Sequence, residues 1–489
     1  MRRYFGTDGI RRIANTELSP ELVYKVAKAG AYVLSKHTDK TPTILIGRDT
    51  RLSGTLIESA MVAGFLSYGA NVKLLGVIPT PGVAYLTRKF QADASVVISA
   101  SHNTFEFNGI KYFSNKGMKI PDSLEEEIEE VMESGKLNEL TAVSEKIGVS
   151  EVRTDLIDEY VYFFRKNFDD NIEKFNNPDF KVVIDTANGA TYQVADKVFS
   201  TLGINHVIIN NEPNGVNINA GCGSTHLEML KEYVIKNKMS LGIAYDGDGD
   251  RCLAVDENGE EIDGDKLIAI ISKYLKQKGK LNKNTIVATV MSNLGLNKYA
   301  EKEKLNFVQT KVGDRYVLEE MLRSGYNLGG EQSGHIILLD YNPTGDGILT
   351  SLMLIQAILE GGKKASELGN LVQKYPQVLI NAKVDSNKKY DYEKNEEIKE
   401  AIKNLEKEFD GNGRVLIRPS GTEPLVRVMI EGKDQKLIKE KAERIAKMIE
   451  KNAINIDIKN KKYYNNIVKY ANIRSYLYIF GKFVISINR

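Results

Sequence analysis

Short apolar runs alternate with amphipathic stretches along most of the chain. Residues 43–46 form a β-branched run, residues 55–68 carry apolar side chains at helical spacing, and residues 71–75 are again mainly apolar. A strand, a helix and a second strand in this order are typical of a crossover α/β unit. Residues 96–98 and 182–184 are apolar without alternation, which indicates strands that are buried on both faces of a sheet.

The pattern changes near residue 376. From there the chain predicts a strand, a helix, two strands and a long helix, an order typical of a small α+β domain. Polar stretches between the patterned segments set the expected boundaries. We therefore predict three α/β domains, a smaller α+β domain and a separate tail, at 1–153, 154–254, 255–368, 369–452 and 453–489.

The composition is that of an ordinary soluble globular protein, with 42% hydrophobic and 27% charged residues. A net charge of +2 argues against a dedicated nucleic-acid-binding protein. Two cysteines cannot form a disulfide framework, which fits a reducing compartment. The N-terminus carries no apolar signal segment, and no apolar run approaches the about 20 residues of a membrane helix. We therefore expect a cytoplasmic protein without a membrane span.

The tail, residues 453–489, differs from the rest of the chain in charge. Seven lysines and arginines stand there against one acid, Asp457, so the preceding chain is mildly acidic. Residues 476–487 have nearly alternating apolar positions, a β-prone pattern. We interpret the tail as a poorly ordered or aberrant extension, and its basic charge leaves open an arm that binds a membrane surface or a partner.

The first candidate motif is ISASHN at residues 98–103, a strand that ends in a turn of small residues. A serine on such a turn, Ser101, can present its hydroxyl while backbone N–H groups face an attached phosphate. Serine is a poor nucleophile unless a base, or a phosphate with a metal, assists it. His102 and Lys111 are the local candidates for that assistance. The dipeptide alone also fits an ordinary turn.

The second motif is DGDGDR at residues 246–251. Asp246, Asp248 and Asp250 alternate with glycines, so an extended loop can aim three carboxylates at one hard cation. With Glu257 they also occupy ligand positions of a calcium-binding EF-hand loop. However, Arg251 stands where that loop needs glycine, and the flanking segments are typical of strands. We therefore predict a magnesium site with coordination positions left open for a phosphate.

The third motif, RPSGTEP at residues 418–424, lies between two predicted strands of the small domain. Guanidinium groups, hydroxyls and a backbone freed by glycine form a phosphate cradle of fixed geometry. Loops of serine, glycine and threonine are often simple turns, but two arginines favour the cradle. The predicted phosphate-binding residues are Arg418, Ser420, Gly421, Thr422 and Arg427.

The fourth motif, GGEQSGH at residues 329–335, is dense in hydrogen-bond donors and acceptors. A carboxylate, a hydroxyl and an amide together suit the hydroxyl groups of a sugar. Taken alone, the motif fits an ordinary loop equally well.

Over about residues 1–452 these motifs resemble, in order, those of the α-D-phosphohexomutase superfamily. The segment FGTDGIR at residues 5–11 is similar to that superfamily's N-terminal motif. The four motifs above are similar to its serine, metal, phosphate and sugar-binding loops. The resemblance implies three related mixed-sheet α/β domains and a smaller C-terminal α+β domain around a central cleft.

The resemblance also implies a reaction, in which phosphorylated Ser101 exchanges its phosphoryl group with a hexose phosphate through a bisphosphate intermediate. One Mg²⁺ is expected on Ser101, Asp246, Asp248 and Asp250. Proton transfer and charge stabilisation are expected from Arg11, His102 and Lys111, and sugar binding from Glu331, Ser333, His335 and Arg251. The implied partner is a small phosphosugar, without nucleic acid or membrane, and a homodimer is possible.

Finer features suggest the branch of the superfamily. Gln332, residues 310–315 and residues 217–226 resemble the branch that acts on glucosamine phosphates. Action on mannose or glucose phosphates is the alternative, and an inactive sugar-phosphate sensor is a third hypothesis.

Three positions depart from the superfamily's usual pattern. Thr104 stands where proline is usual, Phe107 where aspartate is usual, and Arg12 where glycine is common. We expect Thr104 to loosen the serine loop. Because Phe107 removes a carboxylate, we also expect it to disturb the positioning of Lys111.

Overall fold

The computed structural model describes residues 3–6, 8–420 and 423–453. The predictions for Gly421, Thr422 and tail residues 454–489 therefore lie outside the described residues. The described chain forms two compact units, one of residues up to 292 and 296–373, the other of 293–295 and residues from 374 onward. None of the helices in this part of the chain is long and apolar enough to cross a membrane.

The first unit begins with a six-stranded mixed sheet. Its strands are Ile10–Ile13 (β1), Thr43–Arg48 (β2), Asn71–Val77 (β3), Ala94–Ile98 (β4), Phe107–Ser114 (β5) and Ser150–Val152 (β6), and its helices are Pro20–Leu34 (α1), Gly54–Tyr68 (α2), Thr80–Lys89 (α3) and Asp122–Glu133 (α4). The strand order is β1-β5-β4-β2-β3-β6, and β5 runs antiparallel to its neighbours β1 and β4. Every residue of β4 is buried, as its uninterrupted apolar run predicts.

A five-stranded sheet follows. Its elements are the helices Ile157–Phe168 (α5) and Ile172–Phe175 (α6), the strand Val182–Asp185 (β7), the helix Val194–Thr201 (α7), the strand His206–Ile209 (β8), the helix Glu228–Asn237 (α8), and the strands Leu241–Tyr245 (β9), Cys252–Asp256 (β10) and Glu261–Ile262 (β11). The strand order is β11-β10-β9-β7-β8, in which β7, β8 and β9 are parallel and β10 is antiparallel to β9.

A four-stranded sheet completes the first unit. Its elements are Gly264–Gln277 (α9), Thr285–Thr289 (β12), Leu294–Glu303 (α10), Asn306–Thr310 (β13), Asp314–Ser324 (α11), Leu328–Gly330 (β14), Ile336–Leu338 (β15), Gly347–Gly361 (α12) and Ala365–Gly369 (α13). The strand order is β13-β12-β14-β15, with β15 antiparallel to β14.

The three sheets repeat one strand order. In each of them a parallel strand is followed, after a short loop, by an antiparallel neighbour: β4 by β5, β9 by β10, and β14 by β15. The serine, metal and sugar-binding loops of the sequence analysis are these three connections. The similar α/β domains that the hydrophobic pattern predicts are therefore structural repeats, although the chain shows no exact sequence repeat.

The second unit carries a three-stranded antiparallel sheet in the order β16-β18-β17. Its elements are Gln377–Lys383 (β16), Glu396–Phe409 (α14), Gly413–Pro419 (β17), Leu425–Gly432 (β18) and a helix over 435–453 (α15). The order of strand, helix, two strands and helix is the one predicted. Helix α14 begins after Asn395, whose side chain accepts a hydrogen bond from the Ile398 amide.

Candidate active site

The predicted nucleophile lies on the loop between β4 and β5. Ser101 has a left-handed backbone conformation (φ 53°) and is buried. Its hydroxyl donates a hydrogen bond to Oδ2 of Asp246, 2.6 Å away, and lies 3.3 Å from Nδ1 of His102. The serine loop of the first sheet and the metal loop of the second sheet therefore meet at this oxygen.

A buried arginine, which sequence reasoning missed, holds the serine loop. The Arg51 guanidinium donates hydrogen bonds to the carbonyls of Ser101 (2.9 Å), Asn103 (2.8 Å), Phe107 (3.1 Å) and Thr104. These contacts act on backbone carbonyls and do not depend on the side chain at position 104. The expectation that Thr104 loosens the loop stays a prediction.

Two further polar side chains, Asp49 and Asn219, help to hold the serine loop. The Asp49 carboxylate accepts hydrogen bonds from Arg51 Nε (2.8 Å) and from the Ser99 hydroxyl (2.6 Å). From the second sheet, the Asn219 amide donates to the carbonyls of Ser101 and Asn103, each 2.9 Å away. Asp49 follows β2, and the carboxyl ends of neighbouring parallel strands share one edge of a sheet. That placement is the signal that could have identified Asp49 and Arg51.

The three aspartates of the metal loop converge as predicted. One carboxylate oxygen from each of Asp246, Asp248 and Asp250 lies within 4.8 Å of the others, and all three residues are buried. The loop joins two antiparallel strands, which excludes the helix-flanked EF-hand. At Gly247 an added Cβ would lie 2.6 Å from the Ser101 carbonyl oxygen, so the close approach of the two loops requires glycine.

The donor set fits a hard cation. Among the described residues, Oδ1 of Asp248 and Oδ1 of Asp250 are buried and have no hydrogen-bond partner. Burial raises the pKa of Asp246, and the neighbouring Asp250 and Asp248 carboxylates raise it further. Three buried carboxylates at this spacing repel one another unless positive charge lies between them. Oxygen ligands of this kind are the ones that Mg²⁺ prefers.

Lys111 lies against the same loop. Its ammonium donates to Oδ2 of Asp248 (2.8 Å) and is 3.3 Å from Asp8 and 3.7 Å from Asp250. Burial opposes its charge, but these three carboxylates raise the pKa of Lys111 above its usual value, so the ammonium stays charged. Three carboxylates thus hold the ammonium, and the expectation that Phe107 disturbs its positioning stays a prediction.

His102 belongs to the serine loop, and Arg11 contacts that loop through Asn103. Burial, with the positive charges of Arg251 and Arg11, lowers the pKa of His102 to about 4, so the imidazole is neutral near pH 7. Arg11 donates to Oδ2 of Asp8 (2.8 Å) and to Oδ1 of Asn103 (3.2 Å). The four predicted catalytic residues are thus brought together with the metal loop.

The sugar-binding loop lies between β14 and β15. Glu331 accepts a hydrogen bond from the Gly313 amide (3.1 Å), and among the described residues the buried Ser333 hydroxyl has no partner. His335 is buried, its Nε2 accepts from the Gly345 amide (3.0 Å), and its Nδ1 lies 3.6 Å from Asp250. Through His335 this loop contacts the metal loop.

Arg251, the remaining predicted sugar-binding residue, belongs to the metal loop itself. Its amide donates to Oδ1 of Asp246 (3.1 Å), and its Nε lies 3.9 Å from Asp250. Thr80 and Lys119 are two further residues of the site that the sequence did not indicate. The Thr80 hydroxyl donates to Asp248 (2.6 Å), and Lys119 binds Asp314 (2.6 Å) and Asp8. No motif marks these two side chains.

In the second unit, two of the predicted phosphate-binding residues face each other. Arg418 and Arg427 are paired across β17 and β18, and burial together with the charge of Arg427 lowers the pKa of Arg418. Like charges directly opposite one another destabilise a sheet, so an anion between them would be stabilising. Ser420 is buried and accepts a hydrogen bond from the Glu423 amide (3.2 Å).

Known families match the chain in four consecutive parts. They are described as phosphoglucomutase/phosphomannomutase alpha/beta/alpha domain I (residues 2–139), domain II (158–259), domain III (263–375) and C-terminal domain (379–448). The phosphoglucosamine mutase of Ruminiclostridium cellulolyticum is 54% identical over 450 residues, which are 92% of this chain and 99% of the relative. The chain belongs to the phosphoglucomutase/phosphomannomutase family, and within it to the phosphoglucosamine mutases.

Solved structures share the fold at low sequence identity. A phosphoglucomutase/phosphomannomutase family protein from Burkholderia thailandensis aligns with a TM-score of 0.74 at 20% identity, covering 92% of this chain and 98% of that one. The N-acetylphosphoglucosamine mutase of Aspergillus fumigatus, solved in complex with GlcNAc-6P and magnesium, gives 0.63 at 17% identity, with 93% and 96% covered. These similarities confirm the predicted α/β multi-domain fold.

Proposed function

We propose that this enzyme interconverts glucosamine 6-phosphate and glucosamine 1-phosphate through phosphorylated Ser101 and a glucosamine 1,6-bisphosphate. The observation that carries the proposal is the contact of 2.6 Å between the Ser101 hydroxyl and Asp246 in a loop of three buried carboxylates. The preference for the amino sugar is supported by 54% identity to a phosphoglucosamine mutase across the chain.

Asp246, Asp248, Asp250 and the oxygen of Ser101 are proposed to hold one Mg²⁺. Two carboxylate oxygens of this loop, Oδ1 of Asp248 and Oδ1 of Asp250, have no hydrogen-bond partner among the described residues, which supports this assignment. When bound, the ion neutralises charge that develops on the phosphoryl group. Lys111 adds a second, permanent positive charge from the protein side.

The neutral His102 is the group we propose to move the serine proton. When the 6-phosphoryl group of the bisphosphate returns to the enzyme, the Ser101 hydroxyl must lose its proton, and Nδ1 of His102 lies 3.3 Å away. Because the pKa of His102 is lowered to about 4, its ring is unprotonated at pH 7. Arg11 would stabilise negative charge that develops beside the serine loop.

Substrate binding is assigned to two sets of residues. Glu331 and Ser333 are proposed to bind the 3- and 4-hydroxyls of the sugar, which keep their relation when the ring is turned over, with His335 and Arg251 beside them. The phosphate that is not reacting is assigned to Arg418, Ser420, Gly421, Thr422 and Arg427. We propose a small phosphosugar as the partner and no nucleic acid. A cytoplasmic location is also proposed, and a homodimer stays a prediction.

A comparison of kcat/KM on glucosamine 6-phosphate, mannose 6-phosphate and glucose 6-phosphate tests the substrate. We expect the highest value for glucosamine 6-phosphate, and a higher value for either of the others would overturn the assignment. An enzyme inactive on all three, with intact binding, would favour the sensor hypothesis.

Mass spectrometry tests the phosphoserine. We expect one phosphoryl group on Ser101 of the purified protein, none at this position in Ser101→Ala, and turnover of that variant below detection. Ser59→Ala is the matched control, since that hydroxyl is exposed on helix α2 and donates to the Thr55 carbonyl of the same helix. Normal turnover by Ser101→Ala would refute the phosphoserine.

A further inference from the structure

Three acids alternate with two lysines and a histidine in a ring of six side chains beside the metal loop. Each acid lies between two bases, and each neighbouring pair is within ion-pair distance. The successive contacts are Asp8–Lys111 (3.3 Å), Lys111–Asp250 (3.7 Å), Asp250–His335 (3.6 Å), His335–Asp314 (3.4 Å), Asp314–Lys119 (2.6 Å) and Lys119–Asp8. We call this set the charge ring.

The charge ring joins all three sheets of the first unit. Asp8 precedes β1, Lys111 lies on β5 and Lys119 follows β5, while Asp250 belongs to the metal loop of the second sheet. The third sheet contributes two members, Asp314 at the start of α11 and His335 before β15. Lys111, His335 and Asp250 are almost fully buried, and Lys119 is mostly buried.

Lys119 has a special place in this ring. Within the described part of the chain it forms no hydrogen bond or ion pair with the metal loop or the sugar-binding loop. Its two partners, Asp8 and Asp314, each lead to Asp250 through one further base. Lys111 lies nearly as close to Asp250 as to Asp8, and His335 nearly as close to Asp250 as to Asp314. The two bases are therefore shared between the metal ligand and the acids that Lys119 neutralises.

Loss of the Lys119 charge would leave two acids competing for the bases that face Asp250. Loss of a cation beside a largely buried carboxylate is costly. Asp8 would keep Arg11 (2.8 Å) and draw Lys111 more strongly, and Asp314 would be left with the His335 ring as its neighbour in the charge ring. We propose that Lys119 is a positioning residue, which keeps Lys111 and His335 directed at the metal loop during the proposed phosphoryl transfer. This inference rests on the proposed function.

A neighbouring ion pair provides a control for the loss of a connection between two domains. Arg315, the residue after Asp314, also connects α11 with the first sheet's domain, because its guanidinium binds Asp122 at the start of α4 and Glu319 (2.8 Å). Arg315 contacts no member of the charge ring through these bonds. Arg315→Met therefore removes a comparable connection and leaves the ring intact.

The experiment compares Lys119→Met, Lys119→Arg and Arg315→Met with the wild type. Lys119→Met is expected to lower kcat by about 10- to 100-fold with KM changed by less than about threefold, because a small misplacement of charged groups affects the transition state most. Lys119→Arg should recover a large part of kcat, and Arg315→Met should stay within about twofold of the wild type.

A second measurement follows the histidine directly. The chain has five histidines, so ¹⁵N-histidine labelling gives a simple spectrum in which His335→Asn identifies the His335 ring. We expect its ring resonances to move in Lys119→Met and to stay in place in Arg315→Met. Equal effects of the two variants on kcat and on this spectrum would overturn the proposal.

The proposal can still be tested if Lys119→Met does not fold or if the wild type is inactive. If Lys119→Met does not fold, Asp314→Asn removes the other charge of the same contact, and wild-type kcat with an unmoved His335 resonance in that variant would overturn the proposal. Wild-type turnover tests the proposed function independently. A wild type inactive on all three sugar phosphates refutes that function, and the spectrum then decides whether Lys119 holds His335.

Discussion

Asp248 illustrates how much a single side chain of this site does. One of its oxygens accepts hydrogen bonds from Lys111 (2.8 Å) and from the Thr80 hydroxyl (2.6 Å). The other is buried and has no hydrogen-bond partner among the described residues. The protein thus satisfies half of the carboxylate and leaves the other half free for a ligand. Such an arrangement is unfavourable in a purely structural role.

Replacement of Asp248 by Asn should therefore affect metal and activity together. The neutral amide keeps the size but removes one of three charges, so we expect Mg²⁺ binding and kcat each to fall by about 100-fold or more. Calorimetric Mg²⁺ titration and steady-state rates measure the two effects. Asp158→Asn, at an exposed ion pair with Lys197, is the control. A variant with normal Mg²⁺ affinity would contradict the metal assignment.

At the scale of elements, the serine loop depends on a cation that replaces regular hydrogen bonding. Between β4 and β5 the chain leaves the sheet. Arg51 donates hydrogen bonds to four backbone carbonyls in this part of the chain. A guanidinium carries five N–H donors on a planar fork, whereas an ammonium carries three on one nitrogen and reaches fewer of these separated carbonyls. The loop is therefore fixed from the end of a neighbouring parallel strand.

Arg51→Lys should separate loop order from overall stability. The ammonium still neutralises Asp49, so the folded state survives, but most carbonyl contacts are lost and Ser101 is less well placed. We expect kcat to fall by about tenfold or more while the unfolding midpoint falls by a few degrees. Arg51→Met, which leaves Asp49 buried and unpaired, should lose about 3–5 kcal/mol. Equal kcat in Arg51→Lys and the wild type would contradict this role.

Helix α12 begins with a buried acid that makes stability depend on pH. Asp346 caps the helix through the Leu349 amide (3.0 Å) and accepts a hydrogen bond from Tyr160 (2.8 Å), yet burial raises its pKa to about 6. The folded state therefore holds this proton at pH values where the unfolded chain has released it. Stability is highest below the unfolded pKa and falls as pH rises, levelling off above about 6.

Ionisation of Asp346 lowers the free energy of unfolding by about 1 kcal/mol between pH 5 and pH 8. Asp346→Asn removes the titration, so the unfolding midpoint of the variant should change less across that range than that of the wild type. Thermal unfolding in a pH series measures the difference. Asp155→Asn, an exposed acid paired with Arg153, should keep the wild-type pH dependence. Parallel curves for Asp346→Asn and the wild type would contradict the raised pKa.

At the scale of the whole molecule, repetition explains why three unrelated motifs form one site. Each sheet of the first unit places a loop between a parallel strand and its antiparallel neighbour, and the three loops meet at Ser101, Asp246 and His335. One strand order used three times therefore supplies a nucleophile, a set of metal ligands and a sugar-binding segment from equivalent positions.

Much of this could be predicted from the sequence, for physical reasons. Uninterrupted apolar runs predicted buried strands such as β4, and alternating glycines and aspartates predicted convergent carboxylates. The partners of those groups could not be predicted, because a long-range ion pair leaves no local pattern. Lys119 and Asp314 are 195 positions apart and meet only through the packing of two domains. For the same reason the sequence did not indicate that Asp8 and Asp248 contact Lys111.

The tail gives the last prediction. The four family domains end at residue 448, and the relative from R. cellulolyticum is matched over 99% of its own length by 92% of this chain. A protein ended after residue 456 should therefore retain kcat, KM and unfolding midpoint within about twofold or two degrees of the full chain. It keeps Ala453, whose carbonyl accepts a hydrogen bond from Lys388 (3.1 Å).

Co-sedimentation with vesicles that contain anionic lipid tests the alternative role of the tail. If the tail is a membrane-surface arm, its seven basic residues should make binding of the full chain fall as salt rises, and the shortened protein should not bind. Equal sedimentation of both proteins would exclude that arm. A loss of kcat beyond about tenfold on shortening would instead show that the catalytic protein requires residues beyond its four family domains.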